Sequence, residues 1–349
     1  MFERVFSSDN TAGVSPGIVA AMAEQAGGRA VPYGADDVTE RVTGRLRDVF
    51  ECELDVLIVS TGSAANGLAL AALTPPWGAV LCHGDSHINN DEAGAPEFFS
   101  NGAKLVSLPG DDGKLHPDTL AAAVNRGRGE VQSVQPSVVS VTQATETGSV
   151  YSLAELGELS RIARGAGLAT HMDGARFTNA LVSIGATPAD MTWRSGVDIL
   201  SFGATKNGTM NAEAVVVFDR SKTTELRYRQ KRAGQLASKM RFQAAQLDAY
   251  LTDDLWLQNA AHANAMAAHL AHGLTSIPGT RVIGAPRANL LFVTLTESTI
   301  SSLLVDGFSF YRDRWEPTRV RFVTAFTTTK ADVDDLLAAI EAASQPPLS

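Results

Sequence analysis

Two side chains able to carry covalent and acid–base chemistry follow neighbouring predicted strands. Asp173 comes directly after a mostly apolar run at residues 167–172, and Lys206 follows the strand-like segment Val197–Phe202 in a turn between two glycines. The carboxyl ends of parallel strands open at the same edge of a sheet, where α/β proteins bind their ligands. We therefore expect the carboxylate and the amine to face a common crevice.

A lysine and an acid in one crevice are the pair that pyridoxal phosphate chemistry requires. The lysine amine forms a Schiff base with the cofactor's aldehyde, and the acid keeps the pyridine nitrogen protonated so that the ring accepts electrons. The two residues alone leave a second interpretation open, in which Asp173 caps a helix and Lys206 is a solvated turn residue.

The composition is that of an ordinary soluble globular protein. The chain has 349 residues, of which 44% are hydrophobic and 19% charged, and this length favours one large and one smaller domain. We place the large domain, with an N-terminal segment, at residues 1–250 and the small domain at residues 251–349. The net charge of −9 argues against a general nucleic-acid or anionic-membrane surface.

Cysteine content and apolar run lengths bear on the compartment. Cys52 and Cys82 are the only cysteines, so we expect no disulfide framework and no thiolate metal site, and we assign no metal ligands. The first residues lack the apolar core of a signal peptide, and no apolar run approaches the roughly eighteen residues of a membrane span. The expectation is a cytoplasmic protein.

The order of predicted elements indicates an α/β fold. After two helices at about 16–26 and 38–51, strands and helices alternate from Leu54 onward, which is typical of a mostly parallel sheet. A basic stretch at residues 223–242 is also predicted to be helical. A long helix at 252–274 precedes elements whose order suggests a smaller α+β domain with an antiparallel sheet.

Further segments place polar groups near the expected crevice. Gly62 and Ser63 form a turn between a predicted strand and a helix; the free N–H groups of such a helix start suit a phosphate, although the same turn is common without a ligand. His87 lies in a long polar loop, and Glu146 follows a buried strand at its carboxyl end. Arg321 lies in mid-strand, where it either faces solvent or reaches a substrate carboxylate.

Motifs over nearly the whole chain occur in the order and approximate spacing of a known family. In sequence order they are SSDN, VPYGADD, STGSAANGLALAAL, SHINNDEAG, TQATETGSVY, HMDGARFTNA, FGATKNG and AGQLASKMRF. The chain resembles the low-specificity L-threonine aldolases, and most closely the bacterial branch that includes phenylserine aldolases. The resemblance implies fold type I of the pyridoxal phosphate enzymes, with an aspartate aminotransferase-like large domain.

The resemblance implies roles for the residues around the cofactor, pyridoxal 5'-phosphate. Lys206 would hold the cofactor covalently, Asp173 would pair with its ring nitrogen, and Arg176 would donate a hydrogen bond to its phenolic oxygen. Gly62 and Ser63 would bind its phosphate through backbone N–H groups and a hydroxyl.

The resemblance also implies a substrate site and a subunit interface. His87 matches a histidine that stacks on the cofactor ring and helps to deprotonate the substrate, whereas Ser8 and Arg321 match groups that bind the α-carboxylate. The expected assembly is a homotetramer built as a dimer of dimers, in which a basic segment crosses the dimer interface towards the neighbour's phosphate site. The candidates in that segment are Lys231, Lys239 and Arg241.

The implied reaction is retro-aldol cleavage of L-threonine, L-allo-threonine or a related β-hydroxy-α-amino acid, phenylserine among them, to glycine and an aldehyde. Many relatives have a histidine near the β-hydroxyl where this chain has Glu146. A carboxylate could accept a proton there directly or through water, so Glu146 joins Lys206 and His87 as a catalytic candidate. Two alternatives stay open: β-elimination or transamination on the same frame, and a cofactor-binding or scaffold protein that has lost catalysis. The presence of Lys206, Asp173 and Arg176 argues against the second.

Overall fold

The computed structural model describes residues 4–312 and 314–344, and its larger β-sheet has seven strands. These strands are β1 (Asp55–Val59), β2 (Gly78–His83), β3 (Lys104–Leu108), β4 (Gln135–Thr142), β5 (Ala169–Gly174), β6 (Ile199–Phe202) and β7 (Glu213–Val217). Their spatial order is β1-β7-β6-β5-β4-β2-β3. β7 runs antiparallel to β1 and β6 while the other pairs are parallel, so the predicted mostly parallel sheet is confirmed.

Helices cover the larger sheet, because a mostly parallel sheet carries apolar side chains on both of its faces and both must be buried. All residues of β2, β6 and β7 are buried. The helices before the second sheet are α1 (Pro16–Glu24), α2 (Asp37–Phe50), α3 (Gly62–Leu73), α4 (His87–Asn90), α5 (Ala95–Phe99), α6 (Pro117–Ala123), α7 (Leu153–Gly165), α8 (Phe177–Ile184), α9 (Pro188–Met191), α10 (Thr223–Arg232), α11 (Arg241–Leu251) and α12 (Leu255–Leu274).

A second, antiparallel sheet lies in the C-terminal part of the chain, as the alternation of strands and helices predicted. Its strands are β8 (Arg281–Ile283), β9 (Leu290–Thr294) and β10 (Arg319–Val323), in the order β10-β9-β8. Together with α12, α13 (Glu297–Val305) and α14 (Lys330–Ser344) it encloses an apolar core separate from that of the larger sheet. Within the described ranges, no helix has both the length and the apolarity needed to cross a membrane.

The N-terminal segment joins the two cores. Phe6 is buried in the C-terminal core, where its N–H donates to the Ser309 carbonyl at 2.7 Å and its carbonyl accepts from the Val323 N–H at 2.8 Å. Ile18, only twelve residues later, is buried in the core of the larger sheet. The segment between them therefore crosses from one core to the other, and it carries Asp9 and Asn10 past the carboxyl edge of the larger sheet.

The basic stretch at 223–242 differs from its prediction as a helical segment. Helix α10 ends at Arg232, and α11 begins only at Arg241. Gly234 has a φ of +72°, a left-handed conformation that ends helices and that glycine adopts at little cost. The residues between the helices turn the chain, and the Gln235 side chain accepts a hydrogen bond from the Ser60 N–H at 3.0 Å.

Candidate active site

The turn that carries Lys206 is held closely against the end of β5. The Gly203 N–H donates to the Gly174 carbonyl at 3.0 Å, and a Cβ at Gly203 would lie 2.6 Å from the carbonyl oxygen of Ala175. A glycine is therefore required at this approach. Behind the turn, the buried Glu213 carboxylate accepts a hydrogen bond from the Ala204 N–H at 2.6 Å. The Lys206 amine forms no ion pair within the described ranges.

Asp173 lies at the end of β5 and is only 2% exposed. Its Oδ1 accepts from the Ala175 N–H at 3.0 Å, and its Oδ2 accepts from Asn66 Nδ2 at 3.0 Å. Each carboxylate oxygen has room for a further hydrogen bond. Asp173 is thus a buried acceptor held by two neutral donors, and it does not cap a helix.

Glu92 links His87, which begins α4, to this carboxylate. His87 Nδ1 lies 2.8 Å from Glu92 Oε1, and Asn66 Nδ2 donates to the same oxygen at 2.9 Å. The hydrogen bond to Glu92 raises the pKa of His87; burial opposes this, and the charges of Asp173 and Glu146 add to the increase.

The start of α3 supplies the anion-binding feature that the sequence predicted. The first N–H groups of a helix have no intrahelical acceptor, and they lie at the positive end of its dipole. The Thr61 side chain caps the helix by accepting from the Ala64 N–H at 3.1 Å, and Gly62 and Ser63 then begin the helix. A Cβ at Gly62 would meet nothing within 4 Å, so this helix start opens into free space.

These groups line one cavity of about 260 Å³ at the carboxyl edge of the larger sheet. The structure therefore brings together five of the residues that the sequence singled out, namely Gly62, Ser63, His87, Asp173 and Lys206. An amine, a buried carboxylate, an imidazole and a helix N-terminus face the same space. That donor set suits an aldehyde-bearing, anionic, aromatic ligand whose ring nitrogen is basic.

Arg176 lies behind this cavity in a buried ion pair. Its Nε and Nη2 donate to the two Asp9 oxygens at 2.7 and 3.0 Å, and Asn289 Nδ2 donates to Asp9 Oδ2 at 3.0 Å. Burial acts to raise the pKa of Asp9, but the positive charges of Arg176 and Lys206 outweigh it and lower that pKa. Asp9 thereby fixes the orientation of the Arg176 guanidinium through Nε and Nη2, and the third nitrogen, Nη1, is not used in this contact.

A second cavity of about 530 Å³ contains Glu146 and Arg321. The Arg321 guanidinium carbon lies 4.7 Å from the centre of the Tyr311 ring, and Nη2 is only 3.5 Å from the Ser7 carbonyl. Its buried Nε has no hydrogen-bond partner within residues 4–312 and 314–344. The negative charge of Glu146 acts to raise the pKa of His87, Arg176 and Arg321. Glu146 therefore influences a residue of the first cavity as well as one of the second.

Besides Arg176, four predicted residues line neither cavity within this single chain. Ser8 accepts a hydrogen bond from the Asn10 N–H at 3.2 Å, and it is Asn10 that lines the first cavity. Lys231 and Lys239 are exposed, and the Lys231 amine lies 4.7 Å from the centre of the Tyr33 ring. The fourth residue, Arg241, packs against the Phe242 ring at 5.4 Å.

Sequence reasoning missed the residues that support this site. Asn66 could have been found from the sequence, because an asparagine within the otherwise apolar helix α3 needs hydrogen-bond partners when it is buried. Glu92 follows His87 by five residues in the same polar loop, but this spacing alone does not show that the two side chains meet. Asp9 gave no local signal of its pairing, since Arg176 is 167 residues away.

Similarity to known proteins shows the family to which this chain belongs. Residues 6–298 match the family described as beta-eliminating lyase. The chain belongs to the beta-eliminating lyase family. This lyase is 41% identical to the low specificity L-threonine aldolase of Pseudomonas sp. (strain NCIMB 10558), over 97% of each chain. It is 44% identical to the low specificity L-threonine aldolase of Pseudomonas aeruginosa, over 88% of each chain.

Solved structures agree with this assignment. The lyase matches the Leishmania major threonine aldolase with a TM-score of 0.92 and 29% identity, over 98% of this chain and all of that one. Mouse CSAD, at 16% identity and a TM-score of 0.78, shares the fold over 98% of this chain. The predicted resemblance and the fold type I architecture are confirmed.

Proposed function

We propose that this lyase is a pyridoxal 5'-phosphate-dependent aldolase that cleaves L-threonine and related β-hydroxy-α-amino acids to glycine and an aldehyde. The observation that carries the proposal is the meeting of Lys206, Asp173, His87 and the α3 N-terminus in one cavity, with Arg321 in the next. High similarity to two low specificity L-threonine aldolases supports the substrate class.

The residues present fit this cofactor. Lys206 would bond to its aldehyde carbon, and Asp173, already held by Asn66 and the Ala175 N–H, has acceptor capacity left for the ring nitrogen. Gly62 and Ser63 would receive the phosphate at a helix start that opens into the cavity. When bound, the cofactor would withdraw electrons from the substrate's α-carbon as a covalent electron sink.

The other residues of the chain bind the substrate and move its protons. Arg321 would hold the α-carboxylate with its two-pronged guanidinium, assisted by Ser8. His87, through Nε2, or the Glu146 carboxylate would take the proton of the β-hydroxyl as the Cα–Cβ bond breaks, because an imidazole nitrogen and a carboxylate oxygen can both act as a general base. Asp9 would hold Arg176 in place for a hydrogen bond to the cofactor's phenolic oxygen.

The test is to incubate the purified protein with L-threonine and identify all products. Retro-aldol cleavage releases equal amounts of glycine and acetaldehyde, whereas β-elimination releases 2-oxobutyrate and ammonia. The second outcome is the alternative that the family description favours. Lys206→Ala should abolish turnover, and Lys104→Ala, an exposed lysine on β3, should not.

We also propose that the lyase assembles as a homotetramer, with Lys231, Lys239 and Arg241 reaching the phosphate site of a neighbouring subunit. None of the three side chains lines the cavity of its own chain, which supports a role at the cavity of a neighbour. Light scattering should give four times the chain mass of 36.8 kDa. A monomeric, fully active species would contradict the proposal.

A further inference from the structure

Glu92 is a buried acid for which the proposed reaction has no direct use. Its side chain is 0% exposed, and it lines the first cavity beside His87. A buried ionised carboxylate loses its hydration, so it needs hydrogen-bond donors that compensate for this loss. The identity of those donors indicates what Glu92 does.

All of the donors to the Glu92 carboxylate within the described ranges come from residues that line the same cavity. Oε1 accepts from His87 Nδ1 at 2.8 Å and from Asn66 Nδ2 at 2.9 Å, whereas Oε2 is buried without a partner. A carboxylate that only ordered its own loop would accept from backbone N–H groups of that loop. Glu92 accepts from none of them among those residues.

The contact with Glu92 determines which nitrogen of His87 carries a proton. An ionised carboxylate only accepts hydrogen bonds, so Nδ1 must be the donor in this pair. In the neutral ring Nε2 then keeps its lone pair, and Nε2 has no hydrogen-bond partner within residues 4–312 and 314–344. His87 is therefore oriented with its proton-accepting atom unoccupied.

Asn66 extends the connection to the carboxylate proposed to hold the cofactor's ring nitrogen. Its amide nitrogen has two hydrogens, and it lies 2.9 Å from Glu92 Oε1 and 3.0 Å from Asp173 Oδ2. His87 and Asp173 are thus joined through three hydrogen bonds between side chains. Removal of Glu92 would leave the Asn66 amide and the His87 ring each without one partner.

We propose that Glu92 is a positioning residue that holds His87 as its Nδ1–H tautomer, leaves Nε2 free to accept the substrate's proton, and ties this arrangement to Asp173 through Asn66. The proposal rests on the proposed aldolase function only for the identity of the proton. The orientation and tautomer of His87 do not depend on it.

The charges around His87 predict the direction of its titration in variants. Glu92, Asp173 and Glu146 favour the protonated ring, whereas Lys206 and burial oppose it, and the net result is a raised pKa. Glu92→Gln removes the first of these charges but keeps an oxygen that accepts from Nδ1. Glu92→Leu removes both the charge and the acceptor.

The direct measurement is ¹⁵N NMR of histidine-labelled protein without substrate between about pH 5 and 9, with His87 assigned by its loss in His87→Asn. The wild-type ring should titrate above the ordinary histidine value and show the Nδ1–H tautomer at high pH. Glu92→Gln should lower the pKa, because the negative charge beside Nδ1 is lost, with the tautomer kept. Glu92→Leu should lose the tautomer preference. Glu97→Gln, the same charge change five residues along, should leave both properties unaltered.

Turnover gives the second readout. Glu92→Gln should lower kcat by about ten- to hundredfold with little change in KM, shift the acidic limb of the pH profile to lower pH, and recover in part in Glu92→Asp. An unchanged tautomer and pKa of His87 in both Glu92 variants would overturn the proposal, even if the protein cleaves L-threonine. Altered NMR behaviour in a protein that yields 2-oxobutyrate would instead support the role of Glu92 and refute only the aldolase function.

Discussion

Arg176 and Asp9 form a two-point ion pair whose side chains are 5% and 1% exposed. The pair joins the N-terminal segment to the second residue after β5, and Asn289, which precedes β9, donates to the same aspartate. Three parts of the chain that are distant in sequence therefore meet behind the candidate cofactor cavity.

Loss of one partner should destabilise this contact strongly. Asp9→Asn leaves the Arg176 charge buried without its counter-ion, and we expect the free energy of unfolding to fall by about 3–5 kcal/mol. Asp335→Asn breaks the exposed pair with Arg4 and should cost less than about 1 kcal/mol. Urea unfolding followed by circular dichroism measures both, and equal effects would contradict the structural role of the buried pair.

His171 should make stability depend on pH. It lies between Ser140 Oγ and Ser201 Oγ at 2.9 and 3.0 Å, and burial lowers its pKa to about 4. Between about pH 6.5 and 4 the unfolded chain therefore binds a proton that the folded chain does not. Stability should fall with decreasing pH in this window, by up to about 1.4 kcal/mol per pH unit from this residue.

Urea unfolding at several pH values tests this dependence. His171→Asn should flatten the slope between about pH 6.5 and 4, while His272→Asn, an exposed histidine, should leave it as it is. An identical slope in wild type and His171→Asn would show that His171 protonates in the folded state.

Arg321 should control both substrate binding and turnover. Arg321→Ala removes the group proposed to hold the α-carboxylate, and we expect kcat/KM for L-threonine to fall by roughly a hundredfold or more. Arg321→Lys keeps the charge but loses the two-pronged geometry, so it should recover only part of the activity. Steady-state kinetics with Arg281→Ala, an exposed strand arginine, as control would reveal a nonspecific effect.

Trp315 should influence which aldehyde is released. In the second cavity its ring packs edge-to-face on Phe292 with centroids 4.6 Å apart, and it lies 6.0 Å from the Arg321 guanidinium. We expect Trp315→Ala to lower kcat/KM for phenylserine by about tenfold, because an aryl group loses its aromatic contact, and to change that for L-threonine by less than about threefold.

The exposed Trp77→Ala provides the comparison for Trp315→Ala. Equal losses of kcat/KM for phenylserine and L-threonine in Trp315→Ala would show that the aryl group of phenylserine does not contact Trp315.

Local patterns in the sequence were sufficient to predict which residues at the strand ends meet in the site. Asp173 and Lys206 follow the apolar strands β5 and β6, and Gly62 follows β1, so their meeting is a consequence of strand direction. β7 alone among the strands of the larger sheet is reversed, which leaves β1 parallel to the rest and its carboxyl end at the same edge.

Long-range polar pairing was beyond the reach of such patterns. Hydrophobic periodicity shows which face of an element is buried, but it does not show which buried charge meets which donor. The contacts of Asp9 with Arg176 and of Asn66 with Glu92 and Asp173 depend on how helices and loops pack in three dimensions. The sequence prediction treated residues 223–242 as one helical segment because of their basic composition. It did not take account of Gly234, whose left-handed conformation lies in the break between α10 and α11.

The proposed function requires that the Lys206 amine binds pyridoxal 5'-phosphate covalently. Borohydride reduction of the holoenzyme, followed by proteolysis and peptide mass spectrometry, tests it directly. We expect the added mass of a pyridoxyl phosphate group on Lys206 in the wild type and no such mass in Lys206→Ala. A modification confined to another lysine, or none in protein saturated with the cofactor, would contradict it.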